Sequence, residues 1–111
     1  MPNRATLVPD QPADVTVYFV LDDLRRHGRV WRETDETCDE ATVIGDILDG
    51  QFSRPVRIVA FNIAEGWSRD VTEDVARAMV DQARRDDREL SAVARDFYIL
   101  ATGEDLPAGV S

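Results

Sequence analysis

The sequence predicts an α+β domain, a two-layer sandwich in the element order β-β-α-β-α-α. Three observations predict it. Val15 to Leu21 and Val56 to Ile63 alternate at the period of a strand. Thr37 with Glu40, and Asp70 with Glu73, have the spacing of a capping box ahead of apolar residues at helical intervals. At 111 residues, with 43% hydrophobic and 32% charged residues, the chain has the size and composition of one folded domain under a charged surface.

The elements follow in order. Residues 1–14 contain Pro2, Pro9 and Pro12 and little periodicity, so they read as a flexible arm clipped to the surface at Leu7-Val8. In the first strand Val15, Val17, Phe19 and Leu21 alternate with Thr16, Tyr18 and Val20. Both sets are fairly apolar, which suits a central strand. Asp22 to Gly28 makes a turn, with Gly28 free to take positive φ. Arg29 to Thr34 alternates again and carries Val, Trp and Thr. Its charges suit an edge, where they discourage pairing with other chains.

Thr37 is read as the N-cap of the first helix. Val43, Ile44, Ile47 and Leu48 form its apolar face, and Gly50 stops it. Gly45 lies inside this helix and costs about 1 kcal/mol relative to Ala, so it is read as a point of close packing. Pro55 ends the following loop. In the third strand Val59, Phe61 and Ile63 oppose Val56, Ile58 and Ala60, and both faces are expected to be covered. The next helix carries Val71, Val75, Ala78, Met79 and Ala83. A polar run, Arg84 to Glu89, interrupts this face before Leu90, Val93, Ala94, Phe97, Leu100 and Ala101 resume it. Two helices are favoured over one bent helix, with a break near Asp86 to Ser91. A right-handed crossover of the first helix predicts three strands in the spatial order 2-1-3, with helices mainly on one face. The domain is expected over 15–102 and a tail over 103–111.

Charge restricts the partners. There are 22 acidic and 13 basic residues, a net charge of −9, and every basic residue is Arg. An acidic surface repels phosphate backbones, which disfavours nucleic acid. The use of Arg without Lys fits codon bias in a GC-rich genome better than salt adaptation or a surface made for a basic partner, because the charges are mixed rather than blocked. One cysteine excludes a disulfide within the chain. No secretory signal and no apolar stretch of membrane-spanning length are evident, so a cytoplasmic protein without a membrane partner is expected.

Several residues invite chemistry. His27, the only histidine, sits in a charged turn with no metal-ligand or nucleophile motif around it. Cys38 falls at a helix start, where the dipole favours a thiolate, but Asp35, Glu36, Asp39 and Glu40 favour the thiol. Asp22 and Asp23 close the first strand, a place where carboxylates hold divalent metals. Glu33 and Asp35 are distant in the hairpin register, and no Lys is present to assist. The turn Gly66-Trp67-Ser68-Arg69-Asp70 is the strongest candidate for recognition. It leads into a helix N-terminus, which attracts anions, although Asp70, Glu73 and Asp74 already occupy that end. Trp67 and Trp31 each suit a partner's hot spot or a lid over the core.

The segments VYFVLDD, GRVWRETD, TVIGDILDGQF and PVRIVAFNIAEGWSRDVTEDVA resemble those of a family of small uncharacterised bacterial proteins. The resemblance runs from about Asp14 to Ala101, and AFNIAEGWSRD is its most specific block. It implies an ordered domain and transfers no activity, cofactor or site.

The leading expectation is therefore a non-enzymatic interaction or regulatory module without a cofactor. It would bind a protein partner, or itself, through Trp67, Ser68, Arg69 and Trp31. The alternative is a small enzyme or ligand-binding protein using Asp22 and Asp23, with or without a divalent metal. A structural homodimer built on the open edge of the second strand is the third.

Overall fold

In a computed structural model, residues 16–33 and 39–107 are described. The expected arm over 1–14, Val15, the Thr37 cap, Cys38 and residues 108–111 of the tail lie outside these.

The fold is α+β. Among the described residues it comprises four strands and three α-helices. Strands β1 (Thr16–Asp23) and β2 (Arg29–Glu33) form a hairpin around a 3₁₀ turn at Arg25–His27. Its register sets Phe19 opposite Glu33, Leu21 opposite Trp31 and Asp23 opposite Arg29. Strand β3 (Pro55–Asn62) lies antiparallel on the other side of β1. Strands β2 and β3 are both antiparallel to β1, so they run parallel to each other. The connection between them, which carries helix α1 (Glu40–Leu48), is therefore a crossover. The register slips between Leu21 and Asp22, leaving Val56 as an extra residue. Pro55 begins β3, where a missing N–H is tolerated.

The expectation of a three-stranded sheet in the order 2-1-3 is corrected by a fourth strand. Strand β4 (Trp67–Asp70) pairs antiparallel with β3, and the sheet order is β2-β1-β3-β4. The loop over 63–66 turns the chain back: the Gly66 N–H donates to the Asn62 carbonyl at 2.9 Å, and Gly66 has φ +73°. Trp67 to Asp70 is short, wholly exposed and free of apolar alternation, so no strand period marks it. It is a strand and not the helix entry that the sequence suggested.

The first two caps differ from expectation. Helix α1 is capped by Asp39, whose Oδ1 accepts from the Thr42 N–H and hydroxyl, both at 2.9 Å. It begins later than a Thr37 cap requires. Helix α2 (Thr72–Arg85) has Val71 at its N-cap. Asp70 accepts from the Thr72 N–H, while Glu73 pairs with Arg77 instead of reaching back. Helices α2 and α3 (Ala92–Thr102) are separate. Asp87 has φ +52° and the Arg88 N–H donates to the Ala83 carbonyl, a left-handed end to α2. Ser91 then caps α3 by accepting from the Ala94 N–H. Arg88 bonds the Leu48 carbonyl and the Asp49 carboxylate, tying this linker to the C-terminal end of α1. At the C-terminal end of α3, Glu104 pairs with Arg77 and Leu106 packs against the core.

Partner residues across a ladder share a face of the sheet. Val20, Ile58 and Ala60 therefore lie on one side, and they join Val43, Ile47, Val75, Met79, Val80 and Phe97 in the core. Val17, Phe19, Leu21, Val59 and Phe61 lie on the other side, outside that core. The described helices cover one face of the third strand; on its other face Val59 and Phe61 are part-buried, short of the full cover expected on both. A four-stranded sheet is about 19 Å wide at about 4.8 Å per strand. Helices about 10 Å across can roof that width once and not twice. No helix is long and apolar enough to cross a membrane among the described residues.

Candidate interaction surface

The helix-free face is built by the ladder register. Strand β1 contributes Phe19 and Leu21, β2 contributes Trp31, and β3 contributes Val59 and Phe61. The rings of Phe19 and Phe61 lie 5.1 Å apart between centroids and tilt 57° to each other. Phe19, Trp31, Val59 and Phe61 line a shallow apolar hollow of about 300 Å³. Trp31, on the edge strand, is 50% exposed. Alternation along β1 and β3 carried the signal for these residues. What the sequence did not reveal is that none of the described helices covers their side of the sheet, where Val17 is buried and Phe19, Leu21, Val59 and Phe61 are part-buried.

Charge borders the hollow. Arg57 and Asp70, facing each other from β3 and β4, form an ion pair. The Arg29 Nε lies 3.8 Å from the Asp23 carboxylate. Burial pushes the Asp70 carboxyl up. Bonds from the Thr72 hydroxyl and N–H and from Arg57 together outweigh it and hold the group below the ordinary aspartate value.

The residues of the proposed recognition turn do not share this face. Ser68 lies opposite Phe61 and so faces the hollow side, whereas Arg69 lies opposite Ala60 and Trp67 opposite Asn62, on the helix side. Trp67 and Trp31 therefore sit on opposite faces and opposite edges of the sheet. The Trp67 indole N–H donates to Glu65 at 2.8 Å, and the Arg69 guanidinium lies 6.0 Å from its ring centroid. The Tyr18 hydroxyl titrates above its usual range. Burial is the main cause, Glu40 and Asp39 add to it, and Arg69 opposes. His27 is exposed in its 3₁₀ turn.

Consecutive residues of a strand point to opposite faces, so Asp22 and Asp23 do not converge. Asp22 is fully buried on the helix side. Its Oδ2 accepts from Arg32 at 2.9 Å and from the Ser53 N–H at 3.0 Å, and its Oδ1 accepts from the Arg54 N–H at 2.7 Å. The Arg32 guanidinium also lies 5.1 Å from the Phe52 ring centroid. This carboxylate clamps β1 and β2 to the loop before β3. Asp23 accepts from the Arg25 N–H at 2.8 Å and lines a larger concavity of about 580 Å³ at the sheet's end. Arg54, Arg57, Asp70 and Glu73 line it too. No three His, Cys, Asp or Glu side chains group as metal ligands among the described residues.

Comparisons with protein-family models, with curated proteins and with solved structures give no match, so any functional reading rests on this geometry.

Proposed function

We propose that the protein is a non-enzymatic module that binds a protein partner through the helix-free face of its sheet. The observation that carries this is the hollow of Phe19, Trp31, Val59 and Phe61, on a face that none of the described helices roofs, with Trp31 exposed and the other three part-buried. A shallow apolar hollow with an exposed aromatic side chain at its edge suits a partner's apolar side chain. A half-exposed Trp is a favoured anchor. The net charge of −9 disfavours nucleic acid as that partner. A cytoplasmic setting belongs to this reading, resting on a lone cysteine that can form no disulfide within the chain.

Affinity capture from the native host tests the reading. Trp31→Ala is expected to lose at least one protein that the wild type retains. Trp67→Ala and Arg69→Ala, on the helix side, are the parallel arms. A partner lost only from those arms would move the site to the β4 edge and end the claim for the open face.

A second reading is favoured by the concavity beside Asp23, where Arg29, Arg54 and Arg57 interleave with Asp70, Glu73 and Asp74. A site with both signs of charge suits a small zwitterionic ligand or a hydrated divalent ion. Calorimetric titration with magnesium and with manganese tests the metal version. Heat that vanishes in Asp23→Asn is its expected result, and absence of heat rejects it.

A further inference from the structure

We infer that the free edge of β2 pairs with the same edge of a second copy, antiparallel about a two-fold axis at Trp31, so that two four-stranded sheets join into one. The inference goes beyond the reading of the helix-free face and does not rest on it, because the edge and not the face makes the contact.

Backbone geometry comes first. All five residues of β2 are exposed, and among the described residues its one ladder is with β1. Along an antiparallel pair, opposite residues alternately exchange bonds and turn their peptide groups away from each other. The Asp23 N–H donates to the Arg54 carbonyl, away from β2. Arg29, opposite Asp23, therefore turns its own peptide groups outward, and Trp31 and Glu33 follow at intervals of two. Their N–H and carbonyl groups form a rim on which another strand can pair.

The order of charges selects the partner and the register. With Trp31 opposite its own copy, Arg29 of each strand falls opposite Glu33 of the other, and the outward peptide groups of all three residues meet. The Arg29 side chain is 62% exposed, and its Nε comes no nearer than 3.8 Å to Asp23. Glu33 is exposed and has no ion-pair partner among the described residues. The sequence extends the match: Arg26 stands as far before Trp31 as Glu36 stands after it, and so do His27 and Asp35. A strand whose charges change sign about its middle residue is its own complement when turned antiparallel, which is what a two-fold contact requires. Charge on an edge discourages indiscriminate pairing. In this one register it attracts. A slip of two residues sets Trp31 against Arg29 or Glu33 and loses both pairs.

Main-chain bonds supply the affinity in strand addition, and the side chains supply the selection. A ladder of five residues buries less than a standard interface of about 1,600 Å². The dimer is accordingly weak and forms at high micromolar to millimolar concentration. Each Trp31 then stands beside its copy on the helix-free face, and the two apolar hollows abut across the axis.

Sedimentation equilibrium of the full chain, from low micromolar to millimolar concentration, tests the inference. The average mass is expected to rise from one chain toward two. Arg29→Glu and Glu33→Arg, each of which sets like charges opposite one another, are expected to weaken association by about tenfold or more. The double variant, Arg29→Glu with Glu33→Arg, restores opposite charges and is expected to dimerise like the wild type. Circular dichroism identical to the wild type shows that each variant is folded. Amide hydrogen exchange of the wild type, read by NMR, is a measurement that needs no variant. The Arg29, Trp31 and Glu33 amides are expected to slow several-fold as concentration rises, while those of Val30 and Arg32, turned toward β1, stay slow throughout. Wild-type protein that keeps one chain mass throughout overturns the inference. So does a dimer indifferent to both single reversals, or one that the double variant fails to restore while folded. Protection of the Arg29, Trp31 and Glu33 amides that does not change with concentration also overturns it, because the edge is then covered within one chain. A monomeric wild type from which Trp31→Ala still loses a captured protein leaves the reading of the helix-free face standing while the edge pairing falls.

Discussion

At the scale of single residues, the buried Asp22 carboxylate holds three donors, from Arg32, Ser53 and Arg54. Truncation removes the shared acceptor of these donors, of which Arg32 is 44% exposed and can turn to water. Asp22→Ala is therefore expected to destabilise the fold by about 1–3 kcal/mol, read as a lower urea midpoint at neutral pH. The sequence showed a pair of acids at a strand end, the pattern of a metal site. It could not show that one acid is sealed, because the Ser53 and Arg54 amides lie 31 and 32 positions away. Asp70 carries a pH dependence. Its folded value lies below the ordinary one, so its stabilising effect is complete above the unfolded value of about 3.9. The effect fades as pH falls through the lower folded value. Asp70→Asn is expected to lower the thermal midpoint at pH 7, and the gap to the wild type is expected to close at acid pH. A gap that stays constant down to the acid transition would show that the Asp70 charge contributes nothing.

At the scale of elements, helices were the legible part. Val43, Ile44, Ile47 and Leu48 in α1 and the interruption between α2 and α3 all follow from spacing along the chain. Caps were less legible, because several acidic residues crowd each helix start and only geometry picks the one that bonds. Asp39 prevails in α1 because its carboxylate receives both the Thr42 amide and hydroxyl. The short strand β4 left no periodic mark. It is held by ladder bonds to β3, by the Val71 N–H to the Ile58 carbonyl, and by the Thr72 hydroxyl accepting from the Ile58 N–H at 2.8 Å. Gly45 reverses the expectation of close packing, since a Cβ there would meet nothing within 4 Å. Glycine in a helix interior weakens it, so Gly45→Ala is expected to raise stability by about 0.5–1 kcal/mol. Chemical denaturation measures this directly. A loss of stability instead would mean that α1 needs the bare backbone at that point.

At the scale of the whole molecule, an alternating strand cannot say how many of its faces are roofed. Phe19, Val59 and Phe61 have the pattern of residues buried on both sides, yet the described helices cover a sheet of this width only once. That unspent apolar face is the basis of the interaction reading. Long-range repulsion between chains of −9 opposes any self-association, and salt screens it. The placement of the two tryptophans has a practical consequence. Trp31 and Trp67 occupy opposite sides of the sheet, so each side has its own built-in fluorophore. Replacing either one by Phe leaves a single tryptophan, which can be excited apart from the two tyrosines. Its spectral maximum then reports the wetness of one surface, with the other tryptophan's variant as an internal reference.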